Sequence, residues 1–305
     1  MYKKYLVSVG IPVFNEEKNI KSLLLSILNQ KKDKFKLAEI IIISDGSDDK
    51  TIEEINKVKS KNIRLIIGKD RLGKPKRLNQ LFKLFKGNIL VTFDGDIKIS
   101  NKNVIEKLVK PFHSNKNTSL VCGIHLPLPP ITFIENVAYF GFTQWDNIRE
   151  ENFRQKQRDY CTGAIRAFSK KFLKEFKLPD NIGYGEDSYS YYYAKTKGYK
   201  VVVAKEAKVY FRLASTFNDY TKQMSRFFKH RSKMVDYFGK ETIRKYEKIT
   251  KIEKCRSLLR EVLRTPPHIV FSYLVLQSLL RVLVVFYKQN QFWDISQSTK
   301  TITAK

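Results

Sequence analysis

The chain has 305 residues, 42% hydrophobic and 13% aromatic, which is enough apolar content for one large α/β core with an appended segment, or for two modest domains, and too much for a disordered chain. Lys and Arg number 58 against 30 Asp and Glu, a formal net charge of +28 that points to an acidic partner such as nucleic acid, anionic lipid or a phosphorylated substrate. Cys122, Cys161 and Cys255 are far apart and form no C-x-x-C pair, so neither a disulfide framework nor a structural zinc site is expected, and a reducing compartment is.

The opening MYKKYLVSVGIPVFNEE places lysines before an apolar run, but the run breaks at Pro12 and meets Asn15, Glu16 and Glu17 without a small-residue cleavage site. It reads as a first strand, not a signal peptide. Short β-branched runs at Tyr5–Ile11, Glu39–Ser44, Ile63–Ile67 and Asn88–Phe93 alternate with segments of helical period, the pattern of βαβ units and a mostly parallel sheet. Between the first two, Ile20, Leu23, Leu24, Ile27 and Leu28 form one apolar helix face, with Asn15 placed to cap its start. Beyond about residue 120 the regularity weakens. Pro127, Pro129 and Pro130 are followed by Phe133, Tyr139, Phe140, Phe142 and Trp145, which reads as an acceptor-side elaboration rather than more nucleotide-binding sheet.

In an open α/β sheet, ligands bind beyond the carboxyl ends of the strands. Here each such end is polar. Asp94-Gly95-Asp96 follows ILVTF, so two carboxylates stand at the sheet rim, where a hard cation such as Mg²⁺ or Mn²⁺ would share its coordination with substrate phosphates. The bland alternative is a polar turn. Asp45 follows EIIIIS and could accept hydrogen bonds from a base or ribose, while Asp48 and Asp49 read as caps of a helix beginning near Thr51. Gly73-Lys74-Pro75-Lys76-Arg77-Leu78-Asn79 offers backbone donors and cations to a phosphate but lacks the Walker spacing, which argues against an ATPase. Glu186-Asp187 opens a helical run, either as a cap or as catalytic carboxylates. Gln223 and Arg226 set an amide and a guanidinium on one helix; His230 beyond them reads as part of a basic face, with metal ligation as the alternative.

In this order the segments resemble the inverting family 2 glycosyltransferases of GT-A fold, over roughly residues 5–235. VSVGIPVFNEEKNI looks like the opening strand and loop of that family, EIIIISDGSDDKT like its nucleotide-contacting Asp segment, GKPKRLN like its G-K-x-x-x-L-N segment, and ILVTFDGD like its D-x-D motif. CTGAIRAFSK is similar to its T-G stretch, GEDSY to its E-D carboxylates, and QMSRF to its Q-x-x-R-W signature, with Phe227 standing where Trp is usual.

The resemblance implies an α/β, Rossmann-like catalytic domain over 1–235, with a nucleotide-sugar half at 1–120 and an acceptor half at 121–235, followed by a helical segment at 236–305. It implies a hexosyltransferase that moves a sugar from a nucleoside-diphosphate donor, expected to be a UDP-sugar, to a hydroxyl of a glycan or lipid-linked acceptor, with inversion. Pro12, Phe14, Asn15, Glu16, Asp45, Gly73, Lys74, Asn79, Asp94, Gly95, Gln223 and Arg226 would contact the donor, and Asp94 and Asp96 would hold Mg²⁺ or Mn²⁺. Thr162, Gly163, Glu186 and Phe227 would face the acceptor, and Asp187 would be the general base.

The rival readings are a basic nucleic-acid-binding module and a nucleotidyltransferase. No helix-turn-helix, zinc finger or RNP-type signature accompanies the charge, so no nucleic-acid partner is expected, and a nucleotidyltransferase leaves GEDSY and QMSRF without a role. Near the carboxyl end, IVFSYLVLQSLLRVLVVFY is 19 residues long, with Gln277, Arg281 and Lys288 on one face and Arg256, Arg260 and Arg264 upstream. An interfacial amphipathic helix is favoured over a single span or a buried helix. The expected setting is therefore cytoplasmic, peripheral on the inner face of a membrane, with the oligomeric state left open.

Overall fold

The computed structural model describes residues 4–154, 161–247, 249–286 and 296–302. The first unit runs β1 (Tyr5–Val13), α1 (Ile20–Leu28), β2 (Phe35–Asp45), α2 (Thr51–Asn56), β3 (Ile63–Gly68), α3 (Lys74–Leu84) and β4 (Ile89–Phe93). The predicted strands are all present; β1, β2 and β3 run on beyond their predicted bounds, β2 most of all, and β4 starts one residue later than expected. α1 buries Ile20, Leu23, Leu24 and Ile27, the face its periodicity required. β1, β2 and β4 are almost wholly buried, as expected of parallel strands covered on both faces.

The chain continues through β5 (Lys98–Ile99), α4 (Val104–Ser114), β6 (Thr118–Pro127), α5 (Phe133–Arg154), β7 (Ile165–Ser169), α6 (Lys170–Leu173), α7 (Glu186–Thr196) and β8 (Lys200–Phe211). The described strands form one eight-stranded sheet in the order β3-β2-β1-β4-β7-β6-β8-β5. Neighbours from β3 to β4 are parallel; β7 is antiparallel to β4 and β6, β6 and β8 are parallel, and β5 is antiparallel to β8. The second half therefore extends the same sheet, an arrangement that the weakened pattern beyond residue 120 does not specify. β8 mixes exposed, half-buried and buried positions without a regular alternation, which leaves a weak local signature. Two apolar clusters fill the two sides of the sheet, one under α1 and α4 and one under α3, α6 and α7.

Helices α8 (Phe217–Phe238), α9 (Lys240–Glu247), α10 (Lys251–Val262) and α11 (Pro267–Phe286) follow, and a short 3-10 turn at Gln297–Lys300 ends the described chain. α10 and α11 both pack on α5. Gln277 of α11 turns inward and donates to the Tyr220 hydroxyl at 3.0 Å, so the face bearing Gln277 is a protein contact; Arg281 is exposed and Lys288 lies outside the described residues. The solvent face of α11 is instead apolar, with Phe271, Leu274, Val275, Leu279 and Val282 exposed, and α10 adds Ile252 and Leu259, with Leu263 just past its end. Among the described residues no helix is long and apolar enough to cross a membrane.

The cysteine expectation is corrected. Cys122 in β6 and Cys161 form a disulfide, with their Cα atoms 5.1 Å apart, while Cys255 is free and exposed. The antiparallel pairing of β6 with β7 draws the segment before β7 back alongside Cys122, a proximity that sequence spacing does not reveal.

Candidate active site

Because β1, β2, β3 and β4 are parallel, their carboxyl ends open on the same edge, and the loops that follow them meet there. After β4 come Asp94, Gly95 and Asp96. The Lys74 ammonium, in the first turn of α3, lies 2.7 Å from Asp94 Oδ1 and 2.7 Å from Glu186 Oε1 at the start of α7. One lysine thus joins the two halves of the molecule. Burial works against its charge, yet Asp94 and Glu186 hold it protonated above the ordinary lysine range.

The carboxylates around it are unequal. Burial pushes Asp94 up to about 6; Lys74 opposes this, and the charges of Asp96 and Glu186 reinforce it. Burial also works against the charge of Glu186, but Lys74 and Arg166 outweigh it and hold its carboxyl down at about 2. Arg166 is fully buried in β7, donates to the Glu186 carbonyl and the Ser190 hydroxyl at 3.2 Å each, and keeps its guanidinium 3.6 Å from Glu186 Oε1. Its place in an apolar strand gave the sequence reading no signal. Glu16, buried beside the Asp-Gly-Asp turn, is pushed up to about 7 by burial and by Asp96, against the pull of Lys300. Gly95 lies beneath it: a methyl group there would sit 2.7 Å from Glu16 Cγ.

Asp45 ends β2 and is buried. Its Oδ1 accepts from Leu72 N and Arg77 Nε, both at 2.7 Å, and its Oδ2 from Gly73 N at 2.8 Å. It thereby fixes the loop that launches α3, where Gly73 takes a φ of 89°, a left-handed value suited to glycine. Arg77 reaches Asp45 by crossing Gly68, at which an added methyl would fall 2.1 Å from Arg77 Nη2. Asn79 is placed differently from expectation: its amide is buried and engages the Leu178 backbone through two 2.9 Å hydrogen bonds, holding α3 to the second half.

Pro12 lies within β1, and Phe14 follows it with the Arg71 guanidinium 4.3 Å from the ring centroid. Asn15 does not cap α1, which starts at Ile20 after Asn19. With a φ of 53°, it exchanges hydrogen bonds with Asp48 at 2.6 and 3.0 Å, bracing the β1 loop against the β2 loop. Of the two predicted caps, Asp49 accepts from Thr51 N at 2.9 Å, whereas Asp48 serves this brace.

On the other side, Thr162 is buried and accepts from Ala164 N at 3.3 Å. Gly163 lies against the ion-paired cluster, where a methyl would be 2.9 Å from Glu186 Oε1, and its N–H donates to Asp187 Oδ2 at 3.1 Å. Asp187 Oδ1 accepts from Ser188 N at 2.7 Å, so both oxygens retain lone pairs for a further proton or donor. His230 Nε2 lies 2.9 Å from the Ser188 hydroxyl, bringing α8 to the start of α7. Gln223 and Arg226 precede His230 by seven and four residues and so share its stripe of α8, while Phe227 is 69% exposed.

An oxygen-rich edge of this kind, where burial and then neighbouring carboxylate charge raise Glu16 and Asp94, suits a hard divalent cation. Among the described residues no three His, Cys, Asp or Glu side chains converge to hold an ion by themselves, so a cation at Asp94 and Asp96 would draw further ligands from water and a phosphate-bearing substrate.

The sequence profile of glycosyl transferase family 2 matches residues 8–177, more than half the chain. The chain belongs to glycosyl transferase family 2. Among curated relatives of this family 2 chain, a dolichyl-phosphate beta-glucosyltransferase of Trichomonas vaginalis is 32% identical over 126 residues, 38% of this chain and 39% of that protein. An undecaprenyl-phosphate 4-deoxy-4-formamido-L-arabinose transferase of Proteus mirabilis is 30% identical over 95 residues, 30% of this chain and 29% of that protein. The matched region thus spans well under half the length of these relatives. Among solved structures, a mannosyltransferase from Pyrobaculum calidifontis in complex with GDP-Man and Mn²⁺ superposes with a TM-score of 0.59 at 16% identity, covering 93% of this chain and 79% of that one. Glucosyl-3-phosphoglycerate synthase from Mycobacterium tuberculosis, in complex with Mn²⁺, UDP and glucosyl-3-phosphoglycerate, gives a TM-score of 0.55 at 19% identity, covering 77% of this chain and 80% of that one. At such identities the likeness establishes the shared GT-A architecture.

Proposed function

We propose that this family 2 chain transfers a sugar from a nucleoside-diphosphate sugar, with UDP as the nucleotide, to a hydroxyl of a glycan or lipid-linked acceptor, with inversion at the anomeric carbon. The observation that carries this reading is the meeting of Lys74, Asp94 and Glu186 beside Asp96 and Asp187, where strand ends from one half face the start of α7 from the other. Donor and acceptor contacts then fall on opposite sides of a single cluster.

Pro12, Phe14, Asn15 and Glu16 line the nucleotide side, with Asp45 ordering the Gly73 loop beneath them. Asp94 and Asp96 would hold Mg²⁺ or Mn²⁺, which when bound supplies positive charge to the departing diphosphate. Gln223 and Arg226 approach from α8, the guanidinium being suited to phosphate oxygens. Thr162, Gly163, Glu186 and Phe227 lie on the acceptor side. Asp187 Oδ takes the proton of the acceptor hydroxyl as that oxygen attacks the anomeric carbon; the bond from that carbon to the diphosphate oxygen breaks, and one displacement inverts the centre. Support for the donor class and the cation comes from the solved relatives described with GDP-Man or UDP and Mn²⁺, and for a lipid-linked acceptor from the polyprenyl-phosphate names of the curated ones.

The exposed apolar faces of α10 and α11, with Arg256 and Arg264 exposed beside them, support docking on an anionic membrane surface. A donor panel of UDP- and GDP-sugars with Mn²⁺ or Mg²⁺, scored by nucleoside diphosphate release and product anomer, tests the reading. Asp187→Asn is expected to lower turnover by about 10²–10⁴-fold while nucleotide binding persists. Near-normal turnover in that variant refutes the assignment of the base.

A further inference from the structure

The last described residues, Ser296–Ile302, return across the molecule to the donor side. Ser298 anchors them to the start of α8: its N–H donates to Asp219 Oδ2 at 2.9 Å, and its hydroxyl accepts from Ser215 N at 3.1 Å. Asn19 holds the other end, donating to the Lys300 carbonyl at 2.7 Å and accepting from Ile302 N at 3.4 Å. Between these anchors the Lys300 ammonium donates to the Phe14 carbonyl, to the Asn15 carbonyl at 2.8 Å and to Glu16 Oε1 at 2.6 Å. An ammonium has three donors. All three go to the loop after β1.

Two successive carbonyls converge on one cation here because Asn15 adopts its left-handed φ of 53°, a conformation uncommon outside glycine that persists where surroundings impose it. The same ammonium fixes the Glu16 carboxylate above Gly95 and beside Asp96. With its side chain only 13% exposed, Lys300 is closer to a built-in counterion than to a surface lysine.

We infer that Lys300 is a positioning residue of the donor site. The strap that carries it holds Phe14, Asn15 and Glu16 in their donor-receiving shape and offsets the Glu16 charge, which would otherwise face the incoming diphosphate. Because the strap is anchored to α8 as well as to Asn19, it ties the helix bearing Gln223 and Arg226 to the nucleotide loop. This inference rests on the proposed donor class.

The test uses the full-length chain and isothermal titration of UDP and of GDP in the presence of Mn²⁺, with donor kinetics and thermal melting alongside. Lys300→Met is expected to weaken nucleoside diphosphate binding and raise donor KM by about tenfold or more, as the loss of charge-assisted hydrogen bonds implies, with kcat at saturating donor and acceptor KM little changed. Lys300→Arg should restore most of the affinity, and Asn19→Ala, which frees the strap at its far end, should show the same donor defect in smaller measure. Asp96→Asn serves as the reference. If wild type binds neither nucleotide, or Asp96→Asn binds as wild type does, the donor reading fails and the inference falls with it. If Asp96→Asn binds weakly while Lys300→Met and Asn19→Ala both bind within about twofold of wild type, the donor reading stands and the role of Lys300 is overturned. Should Lys300→Met fail to fold, Lys300→Arg and Asn19→Ala decide on the same criterion.

Discussion

The two halves of the sheet are held together over different distances in the chain. From β1 to β4 the strands are parallel and Glu16, Asp45, Asp94 and Asp96 lie within a few positions of a strand end, so a local run such as ILVTFDGD specifies both the strand and what it presents. From β6 onward the site depends on partners far apart in sequence: Cys122 with Cys161 across 39 residues, His230 with Ser188 across 42, and Lys300 with Glu16 across 284. The difference teaches that the strand-end carboxylates are encoded by local pattern while what comes from β6 onward is brought to them by assembly, with Lys74 as the joint where each tests the other.

Lys74→Met attacks that joint. It leaves Asp94 and the buried Glu186 without their shared cation, and is expected to destabilise the fold by about 3–5 kcal/mol and to abolish transfer. Chemical denaturation of Lys74→Met and of Lys74→Met/Glu186→Gln checks this, since the double variant removes one orphaned charge and should recover part of the loss. A Lys74→Met protein as stable as wild type would mean that the halves are joined elsewhere. Next in size, reduction of the Cys122–Cys161 bond, or Cys122→Ser, should lower stability by about 2–4 kcal/mol, with the melting transition of wild type in reductant matching that of the variant.

Asn79→Ala sharpens the contrast on the donor side. Losing two buried hydrogen bonds to Leu178 should cost about 1–3 kcal/mol of stability while leaving the nucleotide Kd unchanged; a rise in Kd would return Asn79 to the donor site. The last test concerns Glu16. Its folded-state carboxyl sits near 7 against an ordinary 4.5, so the folded chain holds this proton more tightly than the unfolded chain, and the stability linked to Glu16 falls as pH rises from about 4.5 to about 7. Glu16→Gln lacks that fall. The melting temperature of the variant relative to wild type should therefore climb across this window and level off above it.

Sequence pattern was enough to place the parallel strands, the apolar face of α1 and the acidic turn at Asp94–Asp96, because periodicity and strand ends are properties of neighbouring residues. It did not show that β7 inserts antiparallel beside β4, since the short IRAFS run fits many sheets equally well. Arg166 escaped notice for the related reason that a buried arginine is legible only once Glu186 is brought to it. Asn15 is expected from sequence to cap α1 and Asn79 to contact the donor, but their partners, Asp48 and Leu178, lie 33 and 99 residues away. The inward turn of Gln277 depended on Tyr220, which no helical wheel of α11 contains.

Gly68 makes no polar side-chain contact and takes an ordinary strand conformation, yet Arg77 crosses the space where any larger residue would put its first carbon. A saturation scan of this chain should therefore find position 68 intolerant even of alanine, with the penalty appearing as lost nucleotide affinity while the fold persists. The space denied to a side chain at position 68 is the space that lets Arg77 reach Asp45, and it would be overlooked by any survey that looks only for groups able to bond.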